Sequence, residues 1–143
     1  MDLTATLAAP CAPARLFPLV EDLTSYPQWL EIVPRAEVDP STEELAWLVD
    51  LRGRLGPFAR SKRLRMVRTR HEPPRAVRFE RRENDSRRHA EWALDASVEP
   101  SGEGCVLTVH LHYGGALWLP VLDRMLRDEI ERSRTRLLAR VAA

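Results

Sequence analysis

Residues 22–30 read DLTSYPQWL and directly follow the apolar run PARLFPLVE at 13–21. Leu16, Phe17, Val20 and then Leu23 recur at three- and four-residue intervals, the spacing of one helical face, with Pro13 near the first turn. One helix could have continued along this stripe. Pro27 interrupts it, because proline suits a helix only near its start, where no N–H is needed. The spacing therefore predicts a helix over 13–21, shortened by Pro18. A second short helix follows, capped by Ser25, with Pro27 in its first turn and Trp29, Leu30 and Val33 as its buried face. Asp22 ends the first helix. The stretch is a corner that Tyr26 and Trp29 pack, and Trp29 is only secondarily a wall for a ligand.

Upstream, DLTATLA at 2–8 alternates Leu3, Ala5 and Leu7 with Asp2, Thr4 and Thr6, the period of a half-buried strand. The N-terminus has the outline of a secretion signal ending at Cys11. It has no basic leader and carries Asp2, and Pro10 stands where a small residue should precede the cysteine, so a strand is the better reading. Downstream the strand period returns. AEVD (36–39), the turn DPSTEE, and ELAWLVDLRGRL (44–55) with Leu45, Trp47, Val49 and Leu51 in one phase come first. After a turn at 55–57, FARSKRLRMVRTRHE (58–72) sets Phe58, Leu64 and Met66 in one phase and Arg63, Arg65, Val67 and Thr69 in the other. EPPR breaks it. RAVRFERRE (75–83), HAEWALDASVE (89–99) and CVLTVHLHYG (105–114) complete the series, and the turns NDSR and PSGEG are short enough for hairpins. From Leu117 to about Val141 the period is helical: Trp118, Leu122, Met125, Leu126, Ile130, Leu137, Leu138 and Val141 form a stripe.

One strand, two short helices, about six further antiparallel strands and one long helix make an α+β chain of a single domain over residues 1–143. At this length it buries roughly 68–70% of its unfolded surface. Each strand has one apolar face, and the C-terminal helix alone has a stripe large enough to cover them. A sheet of about seven strands must wrap that helix.

Charge excludes little but is unevenly placed. The net is +1, yet residues 51–90 hold 14 Lys and Arg against 4 Asp and Glu, and the flanks are acidic. Of the 22 basic residues 21 are Arg, a bias that a GC-rich genome explains as well as guanidinium chemistry does. The run Arg52–Arg70 has eight basic residues and no acid, which suits a phosphate surface. It splits between two strand faces and lacks interleaved aromatics, so nucleic-acid binding is disfavoured. Pairing with acidic neighbours is the simpler use. Cys11 and Cys105 lie far apart in sequence and match no metal spacing, which fits a reduced cytoplasmic protein with no disulfide. No apolar run approaches the ~20 residues of a membrane-spanning helix.

Ala14, Leu16, Phe17, Val20 and Asp22 with Tyr26-Pro27-x-Trp29, together with the order of elements and the helix after Gly114-Gly115, resemble the START-like superfamily (SRPBCC, polyketide cyclase/dehydrase and lipid transport). The stretch from Phe17 to Pro34 is most similar to the branch that includes coenzyme Q-binding proteins. The resemblance implies a helix-grip fold, with a curved antiparallel sheet around the long helix. It also implies an internal cavity between them, closed at one end by the short helices and hairpin loops.

On that arrangement the concave residues are Trp47, Val49, Leu51, Leu64, Met66, Phe79, Trp92, Leu94, Leu107, Val109, Leu111 and Tyr113, faced by Trp118, Leu122, Met125 and Leu126. With Trp29 they form the expected cavity wall, although the same side chains also serve as ordinary core, and Trp47, Trp92 and Trp118 are bulky enough to fill much of the space. Family cyclases are thought to use inward polar groups. Tyr113 is the candidate here for an acid or hydrogen-bond donor, or simply a core tyrosine. Arg63 and Arg65 fall in the solvent phase unless a bulge intervenes. His110 and His112 share a face opposite the apolar set and lack a third ligand; His71 and His89 stand alone. No nucleophile, phosphate-loop, metal or dinucleotide motif is present, so no cofactor is expected. The expected activity is binding of a hydrophobic small molecule, such as a lipid, isoprenoid or polyketide. A polyketide aromatase, cyclase or dehydratase, and an interaction module using the basic edge, stay open.

Overall fold

The structure, a computed structural model, describes residues 1–52, 62–115 and 119–142, with side chains throughout except at 119–122. The strands are β1 (Asp2–Ala9), β2 (Arg35–Val38), β3 (Ala46–Leu51), β4 (Lys62–Glu72), β5 (Ala76–Arg81), β6 (Trp92–Ser101) and β7 (Gly104–Tyr113). They form one antiparallel sheet in the order β1-β7-β6-β5-β4-β3-β2. Helix α1 spans Pro13–Leu16, and the long helix α2 spans Leu119–Ala142, about 36 Å at 1.5 Å per residue. The sheet curves around α2, which buries Met125, Leu126, Leu137 and Val141.

The corner forms with tighter turns than the periodicity implies. Pro18 stops α1 at Leu16, because a proline inside an α-helix removes one backbone donor and crowds the preceding turn, and the chain continues as a 3-10 turn over Phe17–Leu19. The next element is a 3-10 helix over Leu23–Gln28 with Pro27 inside it. Its cap is Asp22 rather than Ser25: Asp22 Oδ1 accepts from the Thr24 amide at 2.9 Å and the Thr24 hydroxyl at 2.7 Å. The same oxygen accepts from Trp47 Nε1 at 3.1 Å, which fastens the corner to β3. Tyr26 donates its hydroxyl to Val20 O at 2.9 Å, and Trp29 donates Nε1 to Leu19 O at 3.0 Å. Their rings pack with centroids 4.9 Å apart. Burial raises the Tyr26 phenol well above its ordinary pKa, so it remains a donor.

Between Arg68 and Arg70 the pairing of β4 with β5 shifts by one residue. Arg68 pairs with Phe79 and His71 with Val77, so three steps on β4 match two on β5. Such a bulge exchanges the faces of all later residues. It turns His71 to the concave side, where its ring lies on Phe17 at 6.2 Å and Nε2 is 2.9 Å from Glu21 Oε2. His71 is therefore not isolated, and neither is His89, which meets Asp85 at 2.9 Å.

The bulge lies beyond Arg63 and Arg65, which keep their outward phase with different results. Arg63 is half exposed and donates to Asp50 at 2.9 Å. Arg65 is not in solvent: its side chain is 5% exposed, because the turn after β2 folds over it. Arg65 donates to Asp39 Oδ2 at 3.1 Å, to the Thr42 hydroxyl at 3.0 Å and to Arg82 O at 2.9 Å. The acidic flanks thus meet the basic strand through neighbouring elements, while Arg136 of α2 pairs with Glu31 at the corner.

The connection from β5 to β6 covers residues 82–91 and is longer than the tight hairpin expected at NDSR, so β6 starts at Trp92 rather than at His89. Arg81 and Glu83 pair at 2.7 Å and Arg81 reaches Ala90 O, which holds this loop without strand pairing. The β6–β7 hairpin is tight, with Ser101 opposite Gly104 and Gly102 at φ 57°. A two-residue hairpin loop favours such a left-handed residue, which glycine adopts without a Cβ clash.

Two outcomes test this account. Trp29→Ala should lower stability by about 3–5 kcal/mol in urea denaturation, through a lost aromatic and a freed Leu19 carbonyl; a loss under about 1 kcal/mol would show that the corner does not depend on it. The Ser41 hydroxyl and amide, then Arg65, hold the Asp39 carboxyl below its usual pKa. Its stabilisation is complete above the unfolded value of about 3.9 and is lost as pH falls through the folded value. Stability measured from pH 6 to pH 2 should therefore fall less steeply in the acid limb for Asp39→Asn than for the parent.

Candidate functional site

The concave face, the corner and α2 enclose an apolar cavity of about 100 Å³. Val49 and Leu51 come from β3, Leu64 and Met66 from β4, Trp92 and Leu94 from β6, and Val109 and Leu111 from β7. The residues alternate along each strand because successive side chains point to opposite faces. The corner adds Leu23, Tyr26, Trp29, Leu30, Ile32 and Val33, and α2 adds Leu126, Glu129 and Ile130. A second chamber of about 30 Å³ lies between β1 and α2, and Trp29, Val109 and Ile130 border both.

Of the expected wall, Trp29, Val49, Leu51, Leu64, Met66, Trp92, Leu94, Val109, Leu111 and Leu126 border this cavity. Trp47, Phe79, Leu107, Tyr113 and Met125 are buried elsewhere. Trp47 is drawn to the corner by Asp22 and meets Phe79 edge-on at 5.5 Å, and Phe79 in turn meets Tyr26. Arg68, in phase with Leu64 and Met66, caps the Trp47 ring at 5.4 Å and donates to Glu21 O at 2.7 Å. Trp47 is thus a core anchor beneath a cation. Leu107 borders the second chamber. Met125 lies one residue off the line Leu126–Glu129–Ile130, about 100° around the helix. Trp118 lies outside the described residues, and so does the side chain of Leu122.

Tyr113 stacks on Trp92, with centroids 4.5 Å apart, and its ring ends at Gly115. A Cβ on Gly115 would come within 1.9 Å of the Tyr113 hydroxyl oxygen. The phenol is therefore packed against backbone and supports a wall residue.

Seven wall residues lie beyond the expected set: Leu23, Tyr26, Leu30, Ile32, Val33, Glu129 and Ile130. Six of them are hydrophobic. Glu129 is different: it is 2% exposed, sits on the apolar stripe of α2 and pairs with Arg132 of the same helix. The signal for it was positional, since 129 lies three residues after Leu126 and four before Ser133, which is also buried.

Trp92 Nε1 is buried and has no hydrogen-bond acceptor among the described residues. An unmet buried donor costs about 1–3 kcal/mol.

On the outer face, His110 Nε2 and His112 Nδ1 lie 3.1 and 3.0 Å from Asp2 Oδ1, and His112 Nε2 lies 3.2 Å from Glu91. The hydrogen bond from His112 lowers the Asp2 pKa. Among the described residues no group of three or more His, Cys, Asp or Glu is placed to hold a metal ion. Cys11 and Cys105 are brought side by side where β1 leaves β7, and burial, then the Cys11 thiol, pushes the Cys105 thiol up to about 11. No helix among the described residues is long and apolar enough to cross a membrane.

A family profile described as polyketide cyclase/dehydrase and lipid transport matches residues 1–143. The chain belongs to this START-like family. Among solved structures, a protein from Thermus thermophilus is similar at 17% identity and a TM-score of 0.76, covering 99% of this chain and 97% of that one. A START superfamily protein from Mycobacterium smegmatis is similar at 14% identity and 0.74, with the same coverage. The AHSA1 protein from Silicibacter pomeroyi is 22% identical at 0.65, covering 99% and 98%. These likenesses establish the helix-grip fold. No curated protein sequence matches the chain.

The Tyr113–Gly115 contact generates a test. Gly115→Ala should destabilise the protein in the parent and do so much less in a Tyr113→Leu background, measured as a double-mutant cycle by urea unfolding. Equal losses in both backgrounds would show that the ring does not occupy that space.

Proposed function

We propose that this START-like domain binds a hydrophobic small molecule in the cavity between sheet and α2. The observation that carries the reading is the wall: among the described residues every lining side chain except Glu129 is hydrophobic. A concave, largely apolar pocket with few polar groups is the usual form of a small-molecule site. The volume, about 100 Å³, is comparable to the engineered apolar cavity of about 150 Å³ that takes up benzene. A ring-sized group fits as the structure stands. A longer isoprenoid, lipid or polyketide tail has a direction to extend, past Ile130 and Trp29 into the second chamber.

Carriage is favoured over cyclisation or dehydration. The tyrosine that would have served as acid, Tyr113, is not on the wall, and Tyr26, which is, spends its hydroxyl on Val20 O. The basic run is engaged through Arg63, Arg65, Arg68 and Arg70, each bonded to an acidic side chain or a carbonyl, which weakens the case for an interaction module. A cytoplasmic location is part of the same proposal. Two adjacent thiols, at Cys11 and Cys105, support it, since an oxidising compartment favours their pairing.

Native mass spectrometry on protein from its own cells should show a noncovalent adduct of an apolar metabolite. Purified protein should bind toluene, detected by methyl chemical-shift changes. Val109→Phe, which adds bulk between the two chambers, should weaken toluene at least tenfold while the protein stays folded by circular dichroism. Absence of both adduct and toluene binding would sink the reading.

A further inference from the structure

The chain holds two cysteines, and the fold brings them from distant parts of the sequence to one place. Ala9, the last residue of β1, pairs directly with Cys105 of β7. The chain then bends at Pro10 and Cys11 instead of running on past the sheet. Gly104 lets that bend lie close on β7: a Cβ at 104 would come within 2.3 Å of Ala9 O and 3.4 Å of the Pro10 Cα. Cys11 packs against the same buried cluster that contains Cys105, and the two thiols are hydrogen-bonded. Their exposure differs. Cys105 is 1% exposed, and Cys11 is partly open to solvent. Cys105 alone would serve as a small core side chain. Cys11 is the sulfur that both touches it and meets water.

We propose that Cys11 and Cys105 form a reversible disulfide when the chain meets a low-molecular-weight disulfide, a redox-dependent lock on the seam between β1 and β7. The order of attack follows from access, since the thiolate is the nucleophile and must reach the reagent. Cys11 loses its proton to water and its sulfur attacks one sulfur of the reagent. A mixed disulfide forms on Cys11, the reagent's own S–S bond breaks, and the departing sulfur takes up a proton as the first free thiol. Cys105 then gives up its proton and attacks the Cys11 sulfur. The Cys11–Cys105 bond forms and the second half of the reagent leaves as a thiol. The chain loses two electrons and two protons, and the reagent gains both. Burial, then the Cys11 thiol, pushes Cys105 up to about 11, so it keeps its proton until the mixed disulfide is beside it. The bond would fasten β1 to β7, the strand pair of greatest sequence separation in the sheet. A cross-link across so long a stretch removes much freedom from the unfolded chain.

The test treats the folded full chain with glutathione disulfide and follows intact mass and thermal unfolding. The parent should lose two hydrogens, carry no glutathione, and unfold about 5–10 °C higher, with full reversal by dithiothreitol. Cys105→Ala should stop at one glutathione on Cys11, and Cys11→Ser should take up none, because the remaining thiol is buried. Should Cys105→Ala fail to fold, Cys11→Ser, at a partly exposed bend, still reports whether the reaction begins at Cys11. A parent that stops at the mixed disulfide, or that reacts only in denaturant, would overturn the pairing. A disulfide that forms and leaves the midpoint unchanged or lower would overturn the lock.

Discussion

One carboxylate oxygen organises the end of the molecule where the cavity lies. Asp22 Oδ1 accepts from the Thr24 amide, the Thr24 hydroxyl and the Trp47 indole, and so sets the turn of the corner and its attachment to β3 in one place. Everything that borders the cavity from the N-terminal third follows from this attachment. Tyr26 and Trp29 close onto Val20 and Leu19, their rings form a floor, and Leu23, Leu30 and Val33 follow as wall. Trp47, fixed by the same bond, packs at the corner and does not border the cavity.

Polar chemistry is sorted by face. The outer surface of the sheet carries paired charges, from Arg65 with Asp39 to the two histidines on Asp2, and the buried pair there is satisfied by several hydrogen bonds at once. That arrangement suits a charge taken out of water, because an unpaired one is costly. Inside, polar atoms are few and mostly engaged.

Much of this was legible in the residues. Strand and helix periods, proline positions and the Tyr-Pro-x-Trp corner suffice for the architecture, since one-faced strands and one long apolar stripe leave few ways to hide apolar surface. Details that depend on contacts between distant segments were not. Nothing in Arg68-Thr69-Arg70 marks a bulge, and no glycine announces it. Arg65 has an outward phase, and only the turn at Asp39–Glu44 decides that outward is not exposed. The wall was legible where alternation decides it, as at Leu64 and Met66. At Trp47 and Phe79 alternation also sets the face, and their contacts at the corner decide that they pack beside the cavity rather than on it. Glu129 escaped notice because a charged residue on a helix is read as solvated, although its position among Leu126, Ser133 and Leu137 says otherwise.

The strand order has a consequence for how the protein is made. Every neighbouring pair from β2 to β7 is consecutive in the chain, and β1 alone pairs across its whole length, Asp2 with His112 and Ala9 with Cys105. During synthesis β1 emerges first and its partner almost last. The meander can assemble as it leaves the ribosome, while β1 waits with Leu3 and Leu7 exposed until β7 is available. Long-range pairings of this kind close late, since the entropy of ordering the intervening chain must be met first. The seam between β1 and β7, which also meets α2, is therefore the last to be sewn. Until β7 and α2 are made, the apolar face of the meander has neither its edge strand nor its cover.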